Sequence, residues 1–129
     1  MAQNPIAVTI GRGPTNAQSQ ANLDAEGNLI TTSGGAKSSL NLTAAAVIKA
    51  TPGRLAKLVV LAGGTASNGN FVLNDCATTG AAAAANQVAI IPSGTTAGTV
   101  VNLDFPCLVG IVLSAVPSAG SPIAAVSYD

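Results

Sequence analysis

The sequence predicts an all-β fold: an antiparallel β-sandwich or barrel domain over residues 37–129, preceded by an extended N-terminal arm over residues 1–36. Three observations predict it. Short apolar runs recur from residue 38 onward, separated by Gly, Pro and Asn turns, which gives about seven or eight strands at the spacing an antiparallel sandwich needs. No amphipathic segment is long enough for a helix of three turns. Residues 1–36 are broken by Gly or Pro every few positions, and residues 14–22 offer almost no side chain large enough to bury. Such a stretch does not offset its own ordering entropy and is expected to order against something else.

The elements follow in order. In the arm, Ile6–Ile10 and Leu29–Thr32 each suit a short strand, with Asp24–Gly27 as a turn. Leu40-Asn-Leu42 alternates, and Ala46–Ala50 is a short strand. Thr51-Pro-Gly-Arg54 reads as a turn, with Pro52 fixing one φ and Gly53 supplying a positive one. Arg54–Leu61 is the strongest strand. Asn68-Gly69 between apolar runs is a hairpin signal, so residues 46–74 are expected to form a three-stranded meander. Cys76–Asn86 contains five consecutive alanines, Ala81–Ala85, and is expected to be a helical turn or a flat loop. Gln87–Ile91 is a strand stopped by Pro92, and Thr99–Phe105 is one that ends at Pro106. Leu108–Ala115 reads as a strand covered on both sides, Pro117–Pro122 as a turn, and Ile123–Tyr128 as the last strand.

Composition narrows function. Of 129 residues, 25 are Ala and 14 Gly, 8% are charged, and there is no His or Trp. An ordinary globular chain is roughly 25% charged. Mean hydropathy is +0.50 and net charge is zero, so a bare monomer is expected to associate. The surface is either hydrated by hydroxyls and amides or covered by neighbouring chains, and the sparse charge favours neighbours. The charges are segregated: residues 1–57 carry five cations and two anions, and residues 58–129 carry three Asp and no cation. Such halves suit contact between subunits, and they equally suit pairing within one fold. The longest aliphatic stretch, Leu58–Ala62, is far short of the ~20 residues a membrane span needs, and the N-terminus lacks a signal-peptide pattern. The protein is expected to stay where it is made, without a membrane partner.

Reactive groups are few. Without His, the cysteines Cys76 and Cys107 lack the base a nucleophile needs, and they read as small buried apolar residues, with one bridge as the other option. Asp24 and Glu26 read as a solvated turn rather than a loose Ca²⁺ site, and Asp75 and Asp104 as turn or cap residues. Gly11-Arg-Gly13 lacks the Lys-Ser/Thr of a phosphate loop. Five scattered cations with no interleaved aromatics do not form a nucleic-acid surface. The chain is therefore expected to be no enzyme, with no catalytic, cofactor-binding or metal-binding residue. The candidate protein-interface residues are Arg12, Arg54 and Lys57. Arg54 and Lys57 stand three apart, a spacing that places them on opposite faces of a regular strand.

The segments Val47–Leu55, Asn74–Ala82, Asn86–Pro92, Phe105–Val112 and Ala125–Tyr128 resemble small virion proteins of tailed bacteriophages, of the head decoration (cement) type. The likeness covers residues 38–129 and leaves out the arm. It implies a sandwich of jelly-roll or Greek-key type, located on the capsid surface after synthesis in the host cytoplasm. It implies as partners the major capsid protein and copies of the chain itself, a homotrimer being favoured. The alternatives are a head-fibre or tail knob that binds a receptor or glycan, and a tail or connector component.

Overall fold

In a computed structural model, the structure describes residues 9–12, 18–20, 25–26, 35 and 37–129. The chain divides into two compact units, Met1–Thr32 and Ser33–Asp129. In the first, β1 (Thr9–Arg12) pairs antiparallel with β2 (Gln18–Gln20). Strand β2 falls inside the polar stretch 14–22, so three Gln/Ser residues pair there through backbone bonds. Residues 6–8 and 29–32 of the two expected arm strands lie outside the described residues.

The second unit is all β. Its strands are β3 (Lys37–Leu42), β4 (Ala46–Lys49), β5 (Gly53–Ala62), β6 (Asn70–Asn74), β7 (Gln87–Pro92), β8 (Val100–Cys107), β9 (Ile111–Ala115) and β10 (Ile123–Tyr128). They form two antiparallel four-stranded sheets, ordered β3-β10-β5-β8 and β4-β9-β6-β7. The pairings β3 with β10, β4 with β9, β5 with β8 and β6 with β7 describe one long antiparallel hairpin. Rolling that hairpin up adds β10 to β5 and β6 to β9. This is the jelly-roll form of the sandwich.

The core lies between the two sheets. Leu42, Leu55, Leu58, Val60, Ala124 and Val126 from one sheet meet Phe71, Leu73, Ile91, Ile111 and Leu113 from the other. This core explains why residues 46–74 are not the expected meander. Strands β4 and β6 belong to one sheet and β5 to the other, so each connection crosses the sandwich. Crossing lets Leu58 and Val60 on β5 face Phe71 and Leu73 on β6, all fully buried. A flat meander would lay these side chains edge to edge, partly in water. Asn68-Gly69 serves the second crossing. Gly69 has φ +89° and Ser67 φ +63°, whereas a two-residue type I′ hairpin needs positive φ at both central residues, and Asn68 does not have it.

Other expectations change for local reasons. Gly53 does not adopt a positive φ. It opens β5, and a Cβ there would run into the carbonyl oxygen of Asp129. Strand β8 continues through Pro106 to Cys107, which is tolerated because β8 is an edge strand. Leu108 and Val109 form an exposed loop, and only Ile111–Leu113 is covered on both sides. In β3, Ser39 lies opposite Val126 and Leu42 opposite Ala124, so one residue is extra. The kink falls at Asn41, with φ +53°, and turns Leu40 outward. The segment Cys76–Asn86 holds two short 3-10 turns, Thr79–Ala81 and Ala84–Asn86.

Candidate protein-contact surface

The exposed Leu108-Val109 tip is fixed by one carboxylate. Asp75, the residue after β6, accepts backbone N–H bonds from Leu108 (2.9 Å), Val109 (2.8 Å) and Gly110 (3.1 Å). Desolvation raises the Asp75 pKa, but the three N–H bonds outweigh it and hold the carboxyl below its ordinary value. Gly110 is required where the two segments touch. A Cβ there would stand 2.5 Å from the Cys76 carbonyl oxygen and 2.7 Å from that of Lys49. The result is a rigid turn that presents Leu108 at 75% and Val109 at 52% exposure, with half-exposed Phe105 at the end of the neighbouring strand.

Ionic groups surround this tip. The loops between β4 and β5, β6 and β7, and β8 and β9 lie at one end of the sandwich, together with Asp129. Lys37, Lys49, Arg54, Asp75, Asp104 and Asp129 all belong to this end. The connections at the opposite end, residues 43–45, 63–69, 93–99 and 116–122, contain no charged residue. Those connections are tied to one another by backbone bonds, including Thr65 N–H to Ala119 O, Gly94 N–H to Gly63 O and Ser118 N–H to Asn68 O.

Of the three interface residues read from the sequence, Arg12 lies in β1, and its side chain is outside the described residues. Arg54 bonds Asp104 at 2.6 Å and stands 3.5 Å from an Asp129 carboxylate oxygen, while Lys49 Nζ donates to the Asp129 carbonyl oxygen at 2.7 Å. The cationic first half of the chain and the acidic second half thus meet within one fold. Asp104 reaches Arg54 from a kink in β8 where its own φ is +46°. Arg54 and Lys57 share a face, contrary to the expected opposite faces. Leu55 pairs with Tyr128 and Lys57 with Ser127, so Ala56 is an extra residue that shifts the alternation by one. Leu55 and Leu58 both point into the core, and their neighbours Arg54 and Lys57 both point out. Among the described residues Lys57 makes no ion pair.

Behind the tip, a polar network secures the alanine-rich loop over the outer side of the β4-β9-β6-β7 sheet. Buried Asn74 donates from Nδ2 to Asn86 Oδ1 (2.6 Å) and to Ala83 O (2.9 Å), and it accepts from Ser114 Oγ (2.6 Å). Asn86 Oδ1 also accepts from the Ala83 N–H, and Asn86 Nδ2 donates to Ala81 O. The two cysteines are free and buried. Burial, then the nearby Asp75 and Cys76, pushes the Cys107 thiol up to about 11, and burial raises Cys76 as well. Both remain protonated thiols at neutral pH, which are poor nucleophiles. Among the described residues no three His, Cys, Asp or Glu side chains gather to hold a metal ion.

Sequence reasoning missed Asp75 as the organiser of the tip, because nothing local in the sequence links it to residues 108–110. Comparison of the chain with protein-family models, with curated proteins and with solved structures gives no match.

Proposed function

We propose that this chain is a structural virion protein that decorates and reinforces a bacteriophage head, bound to the major capsid protein and to copies of itself, with a trimer as the favoured arrangement. One observation carries the reading furthest: Asp75 holds Leu108 and Val109 out of the core, inside a ring of ionic groups. An apolar centre with a polar rim, fixed before binding, is the make-up of a protein-contact site. A rigid tip loses little conformational entropy on docking. The sandwich supplies a stiff body, and many identical modest contacts on one shell act together through multivalency. The resemblance of residues 38–129 to head decoration proteins supports the same reading.

The test is co-sedimentation of the purified chain with empty tailed-phage capsids from particles that encode it, prepared without it. Saturable binding and a higher shell-disruption temperature are expected. Failure to pellet with shells, together with a specific hit on a glycan array, favours the fibre-knob alternative and overturns the proposal.

A further inference from the structure

We infer that the outer face of the β3-β10-β5-β8 sheet is where a second copy of this chain docks. The face has a defined make-up. Val59 lies opposite Ala125 on one side and Val100 on the other. Leu40, at the kink of β3, takes the fourth place of this row beside Ala125. The row thus crosses all four strands with aliphatic side chains, and Leu61 extends it along β5. The next row is Ser38, Ser127, Lys57 and Asn102. Leu55, Leu58 and Val60 point the other way, into the core, so these rows belong to the outer surface. Between the Arg54 cluster and Leu61, Lys57 is the one charged side chain in either row.

A sheet face that stays in water ordinarily alternates apolar-in with polar or charged-out. Here Leu40, Leu61 and Val100 are each at least half exposed. The size also fits. Ten residues of β5 at about 3.3 Å each and four strands about 4.8 Å apart give a face of about 600 Å². A stable contact uses about 800 Å² per partner, and the flanking loops make up the difference. Electrostatics points to a copy of the same chain rather than a charged partner. A face with one cation and no anion offers little to steer an oppositely charged surface, and two near-neutral faces meet without like-charge repulsion. The inference deepens the decoration reading and rests on it for the expectation that copies meet; the face itself is argued from register and exposure.

Sedimentation equilibrium of the full chain, with Leu61→Lys and Val100→Lys made singly and together, tests it. Both positions are half exposed, so the fold is expected to persist, checked by circular dichroism and by an unchanged urea midpoint. Leu40→Lys is the substitute if either variant misfolds. The expected result is an oligomer for the parent chain and at least about tenfold weaker self-association for the double variant. A parent chain that is monomeric at high micromolar concentration overturns the inference, and so does an oligomer that the substitutions leave intact. A chain that self-associates through this face yet does not bind shells retains the inference and overturns the decoration reading.

Discussion

The Asp75 carboxylate and the Leu108 backbone N–H, 33 residues apart in sequence, are joined at 2.9 Å. That bond ties the end of β6 in one sheet to the loop that leaves β8 in the other. It couples the stability of the sandwich to the shape of its most exposed apolar tip.

Asp75→Asn removes the charge and turns one acceptor oxygen into a donor that faces backbone N–H groups. The expected cost is about 1–3 kcal/mol, read from urea unfolding at pH 7. The pH dependence has a definite direction. Asp75 titrates lower when folded, so its contribution is complete above the ordinary carboxylate range and is lost as pH falls through the folded value. The parent chain should therefore lose more stability between pH 6 and pH 3 than Asp75→Asn does. Equal losses would show that the three N–H bonds contribute little.

Leu108→Asp separates binding from folding. The side chain is largely in water, so the urea midpoint is expected to stay within about 0.5 kcal/mol of the parent. Shell co-sedimentation is expected to weaken at least about tenfold, the effect of losing a contact centre. Unchanged binding would move the docking site away from the tip.

Glycines divide by their surroundings. Gly110→Ala places a Cβ against the carbonyls of Cys76 and Lys49, and an overpacking cost of about 1–3 kcal/mol is expected. Gly80→Ala meets nothing within 4 Å and has no positive φ. It is expected to stabilise by about 0.4–1 kcal/mol by restricting the unfolded chain. Thermal unfolding of the two variants beside the parent decides both.

Arg54→Ala is expected to change stability by less than about 1 kcal/mol despite its 2.6 Å ion pair. The Arg54 side chain is 33% exposed and that of Asp104 76%, and exposed pairs are screened by water and salt. Denaturation at low and high salt is the measurement. A loss of several kcal/mol would mean that the cluster acts as a buried unit.

Much of the sandwich is legible in the sequence, because alternation within a strand is a local property. Arg54–Leu61, Gln87–Ile91 and Ile123–Tyr128 all read directly as strands, and each is one. What does not read is anything decided between strands. Asn68-Gly69 carries a hairpin signal, yet the core-facing residues on either side need opposite sheets. Ala56 looks like any small strand residue, but its insertion reverses which faces Arg54 and Lys57 take. Asp75 has the local appearance of a turn acid, and its partners come from a loop that only the folded topology brings near. Arg54 with Asp104 was foreshadowed by the segregation of charge, which signals pairing without naming the pair.

The rolled-hairpin topology places the first and last strands of the sandwich side by side, and Gly35 packs so closely on Tyr128 that a Cβ there would stand 2.7 Å from the Tyr128 backbone nitrogen. Entry and exit of the domain are therefore adjacent. A peptide or reporter genetically appended after Asp129 would emerge on the same end as residue 35, whereas one spliced into the uncharged connection at 95–98 would emerge at the far end. The scaffold thus offers two opposed attachment points for cargo, one beside the contact tip and one remote from it.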